Sequence, residues 1–123
     1  RGADLGNSSL HPADFSDADL RDAVLDDAYL SDSSFVDADL RKASLVDANV
    51  GMSDFTNADL SGADLRQSNL VGADLTGADL TDANLEAANL GNVTVKDAVF
   101  TGAILPEDVP GDALENAGAI RDS

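Results

Sequence analysis

The chain has 123 residues, 43% of them hydrophobic, with 24 acidic side chains against 7 basic ones and a formal net charge of −17. That length suits a single domain, and no stretch approaches the roughly 20 apolar residues of a membrane-spanning helix. Without cysteine there is no disulfide, zinc–thiolate site or catalytic thiol, and the acidity argues against direct nucleic-acid binding through a basic patch.

The chain starts at Arg1 without Met. A soluble protein is expected, either cytoplasmic or in an exported or lumenal compartment after removal of a targeting segment. From Leu5 to Leu105 every fifth residue is Leu, Phe or Val. Two positions earlier stands Ala, replaced by Ser at Ser8, Ser33, Ser53 and Ser68 and by Val at Val93. The residue between them is most often Asp or Asn, as in Asp19, Asp39, Asp59, Asn69 and Asn84.

A period of five fits neither common element. On an α-helix it advances a net step of about 140° per repeat, which smears the large residues around the circumference. Along a strand an odd repeat throws successive large residues onto opposite faces. A short extended triplet fits, with its small and large members pointing inward and its middle member outward. The last two residues then turn a corner and reset the phase. Repetition of that corner coils the chain into a solenoid whose axis the small and large residues fill.

A longer correlation counts the corners. Phe15, Phe35 and Phe55 are spaced by 20, as are Arg21 and Arg41, Ser33 and Ser53, and the series Asp19, Asp39, Asp59 and Asp79. Four pentapeptides per coil follow, with about five coils in all. On this reading the first face stacks Leu5, Leu25, Leu45, Leu65, Leu85 and Leu105 inside the coil. The second stacks Leu10, Leu30, Val50, Leu70 and Leu90, and the third Phe15, Phe35, Phe55, Leu75 and Val95. The fourth stacks Leu20, Leu40, Leu60, Leu80 and Phe100. With these A(D/N)LXX units the chain resembles the pentapeptide-repeat family. The resemblance implies an all-β fold, a right-handed quadrilateral β-helix, over residues 3–107, and it does not imply a single activity.

After Leu105 the period stops at Pro106, and residues 108–123 are expected to form a cap. Asp112 and Glu115 have the spacing of an N-terminal capping pair, and Gly118 suits a helix stop. The spacing predicts a short helix at about 113–117, with Leu114, Ala117, Val109 and Ile120 covering the open end of the last coil. Only Arg1 and Gly2 precede the first repeat, so the N-terminal coil is a candidate for end-to-end self-association.

Chemistry is sparse. His11 is the one histidine, lies outward and precedes Pro12; Gly62, Gly72 and Gly77 fall at corners rather than in a phosphate-binding loop. The Ser and Thr residues have no histidine in register, so a non-enzyme is expected, with no cofactor. The column Asp19, Asp39, Asp59 and Asp79 is a conceivable calcium ladder. Arg21, Arg41, Lys42 and turn amides compensate those carboxylates at lower cost, and no metal is expected.

Charge is spread unevenly. Summed by face from the sequence, the first face carries −6, the third −5 and the fourth −3, while the second carries only Asp32. The second face shows His11, Tyr29, Asn49, Met52, Asn69, Val71 and Asn89 instead. It is the candidate surface for another protein, which makes the chain an interaction or scaffold module. The bland alternative is that its Asn and Gly residues only satisfy turns. The acidic rod also suggests a second function: some pentapeptide-repeat proteins inhibit DNA gyrase by resembling DNA, and the charge per length is comparable to that of a duplex.

Overall fold

The structure, a computed structural model, describes residues 1–109, 111–116 and 118–120. From Asp4 to Ile104 parallel bridges join middle-position residues 20 apart, as in the series Ser9, Tyr29, Asn49, Asn69 and Asn89, and a last bridge joins Val99 to Ile120. The step of 20 is the spacing read from the sequence, so four pentapeptides make one coil. Each face is a parallel ladder one bridged residue wide.

The pentapeptide 73–77 shows why five residues suffice. Ala73 N–H closes the corner on Leu70 C=O at 3.0 Å, Asp74 N–H donates to Ser53 in the coil below, and Leu75 N–H donates to Thr94 in the coil above at 2.7 Å. Gly77 N–H also reaches upward, to Lys96 C=O, and Thr76 N–H donates to the side-chain Oδ1 of Asp74. Every backbone donor of the unit is therefore used.

The corner is a type II turn, whose third residue needs a positive φ. That angle is 59° at Asp27, 57° at Met52 and 69° at Gly72 and Gly77. Asp and Asn tolerate it better than other non-glycine residues, which explains their frequency there. Side chains at this position lie along the rod axis. A Cβ on Gly72, Gly77 or Gly102 would come within 2.3 Å of Met52 Sδ, Asn57 Oδ1 or Asp82 Oδ1 in the coil below. Glycine there meets a steric need as well as a conformational one.

The large residues from Leu20 to Phe100 are buried, and the small residues beside them are buried over most of that span. Phe15, Phe35 and Phe55 stack, with centroids 5.2 and 4.7 Å apart. Leu5, Phe15 and Leu105 pack partly buried against this core. Leu10 corrects the expected core: it is 39% exposed, because no described residue covers it from below.

The C-terminal helix, α1, spans Gly111–Asn116. It begins two residues before the expected start, so Asp112 lies within its first turn rather than ahead of it. The first turn's N–H groups have no intrahelical acceptors, and residues ahead of a capping pair join it freely. Ala117 lies outside the described residues, as does any contact of the Asp112 side chain. Leu114 is buried and Val109 packs against the core. Gly118, at φ 101°, donates to Glu115 C=O and ends the helix. Ile120 covers the last coil with its backbone: its N–H donates to Ala98 and its C=O accepts from Phe100, while the side chain is 44% exposed.

Candidate interaction face

The second face is built from the outward positions of the pentapeptides starting at Ser8, Ala28, Ala48, Ser68 and Ala88. Tyr29 occupies a middle position and is 42% exposed, with its ring stacked on His11 at a centroid distance of 4.3 Å and 23° between planes. Met52 sits at a corner, is 64% exposed, and lays its thioether beneath Gly72. Val71 stands between Gly51 below and Gly91 above. A Cβ on Gly91 would lie 3.7 Å from Val71 Cγ2, so the isopropyl group packs half-buried against the glycine of the next coil.

Asn49, Asn69 and Asn89 stack as a ladder between these groups. Their Oδ1 atoms accept the N–H of Gly51, Val71 and Gly91 at 3.1, 3.0 and 3.0 Å, and Asn69 Nδ2 donates to Asn49 Oδ1 at 3.2 Å. The turn-satisfying role weighed from the sequence thus holds for the amide oxygens. Asn69 Nδ2 thus spends one donor within the ladder, and Tyr29 and Met52, with the half-buried Val71 between the glycines, supply the apolar surface.

Two supporting serines carried no signal toward this face in the sequence beyond the shared spacing of 20. The corner after Leu10 carries Pro12, following a cis His11–Pro12 bond. Ala13 N–H there donates to Ser33 Oγ, and at the next corner up Ser33 N–H donates to Ser53 Oγ. Ser53 Oγ in turn donates to Leu30 C=O at 3.1 Å, so buried hydroxyls brace the edge of the face beside Tyr29.

The acidic faces are organised differently. Middle-position carboxylates accept the N–H two residues on, as at Asp14, Asp54, Asp59, Asp74 and Asp79. In the column Asp19, Asp39, Asp59 and Asp79, Arg21 grips Asp19 through Nε and Nη2, Arg41 grips Asp39 in the same way, and Ser61 and Thr81 bond to Asp59 and Asp79. Arg66 clamps Asp64 likewise. The guanidinium beside each of Asp19, Asp39 and Asp64 holds its carboxyl below the usual carboxylate range. Hydrogen bonds from the Ser16 hydroxyl and backbone do the same for Asp14.

The profile of the pentapeptide-repeats family matches residues 1–27, 13–51, 23–62, 58–97 and 78–107, in 8 copies. The chain belongs to the pentapeptide-repeat family. Its fold is the right-handed quadrilateral β-helix of that family's known structures. Rfr23, a pentapeptide repeat protein from the cyanobacterium Cyanothece 51142, is 27% identical with a TM-score of 0.66, over 99% of this chain and 86% of its own. HetL, from the cyanobacterium Nostoc sp. strain PCC 7120 and involved in heterocyst differentiation regulation, is 32% identical with a TM-score of 0.56, over 83% of this chain. The match spans 45% of HetL. The Nostoc protein alr5209 is 32% identical with a TM-score of 0.50, over 96% of this chain and 100% of its own. Comparison with curated protein sequences gives no match. Among the described residues no helix is long and apolar enough to cross a membrane.

Proposed function

We propose that this pentapeptide-repeat protein is a non-enzymatic interaction module that docks a protein partner on its second face. The observation that carries the reading is the coincidence of the nearly uncharged face, with Asp32 as its one charge, and the exposed Tyr29 and Met52, on a rod whose other faces are acidic. Exposed apolar and aromatic groups ringed by charge have the composition of an interface centre and rim. A non-enzymatic role is supported by His11, the one histidine, which makes no hydrogen bond to a serine or threonine hydroxyl among the described residues and stacks on Tyr29 instead. The hydroxyls of Thr56, Ser61, Thr76 and Thr81 are bound to the Asp of their own repeat. A hydroxyl bonded to a carboxylate that also holds a turn amide lacks the freed base a nucleophile needs.

The acidic faces support a weaker second reading, a DNA-mimicking inhibitor of gyrase. Its basis is charge density alone, and the middle-position carboxylates already have a structural duty at the corners. The test is affinity capture from the native organism with the wild type and with Tyr29→Asp/Val71→Asp. The double variant keeps the wild-type circular dichroism spectrum and loses the captured protein; capture that persists refutes the reading. In a supercoiling assay the purified protein leaves gyrase unaffected, and inhibition favours DNA mimicry instead.

A further inference from the structure

The charge map restricts which surfaces two copies of this chain can share. A first, third or fourth face laid against its own copy brings together two surfaces of net charge −6, −5 or −3, whereas the second face carries a single Asp32. Like charges set opposite each other across an interface cost several kcal/mol. We propose that the second face is a homodimer interface in which two rods pack side by side and antiparallel, about a two-fold axis at the rung of Asn49 and Met52. The proposal rests on the docking reading above and names the partner as a second copy.

Three features of the face support that occupant. Its rungs repeat at the inter-strand spacing of about 4.8 Å, and a partner meets every rung only if it has the same repeat. A second coil of this chain does. The face is also self-complementary in hydrogen bonding. The Asn amide nitrogens are donors, and the Oδ1 atoms of Asn69 and Asn89 each accept one turn N–H and retain a second lone pair. Finally, the order of rungs is Ser9, Tyr29, Asn49, Asn69, Asn89. A two-fold at Asn49 sets Tyr29 opposite Asn69 of the other copy and Met52 beside its own equivalent.

The antiparallel sense follows from the cap. Glu107, Asp108 and Glu115 are exposed at the C-terminal end, and a parallel pair would place both acidic caps side by side. An antiparallel pair puts them at opposite ends. The accessible surface of one copy is 5719 Å², and a specific interface needs about 600–1,000 Å² from each partner, less than a fifth of it.

The chain has no cysteine, so single-cysteine variants report the geometry directly. Sedimentation equilibrium from micromolar to about 1 mM shows a monomer–dimer transition for the wild type and a monomer for Tyr29→Asp/Val71→Asp with an unchanged circular dichroism spectrum. On mild oxidation Met52→Cys forms a covalent dimer, while Lys42→Cys on the far side and Asn7→Cys at the first coil do not. A wild type that stays monomeric, a dimer that survives the double substitution, or coupling through Asn7→Cys instead of Met52→Cys overturns the proposal. If the wild type is monomeric and partner capture is still lost in the double variant, the homodimer falls and the docking reading stands.

Discussion

Where the middle position is Asp or Asn, as at Asp54, Asp59, Asn69 and Asp74, its side chain lends an oxygen to a backbone N–H that no other backbone group reaches. Charge is incidental to that duty. Replacement of Asp74 by Asn therefore keeps the acceptor for Thr76 N–H and leaves stability close to wild type, whereas Asp74→Ala removes it and lowers stability by about 1 kcal/mol. Urea titration of the two variants checks this; equal losses would show that the carboxylate acts through its charge. Inside the coil the demand is steric. Leu65 and Ala63 are both buried, with essentially no surface left. Leu65→Ala leaves a cavity and costs about 2–5 kcal/mol, and Ala63→Leu overpacks the axis at about 1–3 kcal/mol. Neutral results for both would contradict the inward phase. The exposure of Leu10 had no signature in its own pentapeptide, since burial of a repeat depends on the coils above and below it.

Between coils, the fourth face carries an alternating series of ions. Arg21 lies 2.7 Å from Asp19 and 3.7 Å from Asp39, and Arg41 lies 2.6 Å from Asp39 and 3.8 Å from Asp59. The carboxyls of Asp19, Asp39 and Asp64 titrate below the ordinary value because a guanidinium holds each one. A carboxyl depressed in the folded state contributes stability that is present above its unfolded value of about 3.9 and is lost as pH falls through the folded value. The melting temperature of Arg21→Gln/Arg41→Gln/Arg66→Gln is therefore below wild type at pH 6, and the gap narrows below about pH 4. Thermal melts across that range test it, and a gap independent of pH would exclude the clamps as its source. At the C-terminus the existence of a helix was readable from capping and stop residues. Its start was not, because the first turn is open to residues ahead of the capping pair.

The whole rod carries a net charge of −17, and at the corners carboxylates stack on one another in adjacent coils, Asp17 with Asp37 and Asp27 with Asp47. At the inter-strand spacing of about 4.8 Å these carboxylates are closer than the Debye length of about 30 Å at 0.01 M salt and comparable with the 3 Å at 1 M. Raising sodium chloride from about 10 mM to 0.5 M increases the melting temperature by several degrees. A salt-independent melting temperature, followed by calorimetry, would show that corner repulsion is already compensated.

The sequence by itself determined the period, the inward phase, the four faces and the partition of charge among them, since each follows from a local pattern repeated without interruption. The tertiary structure decided what a single repeat cannot contain. Stacking aligned the lateral neighbours: Met52 beneath Gly72, His11 on Tyr29, Arg21 between Asp19 and Asp39, and Ser53 above the corner of Ser33. These contacts join residues 18–20 positions apart, or two positions apart and then a coil further. Their geometry exists only once the hydrogen-bonded ladders have set one coil upon the next.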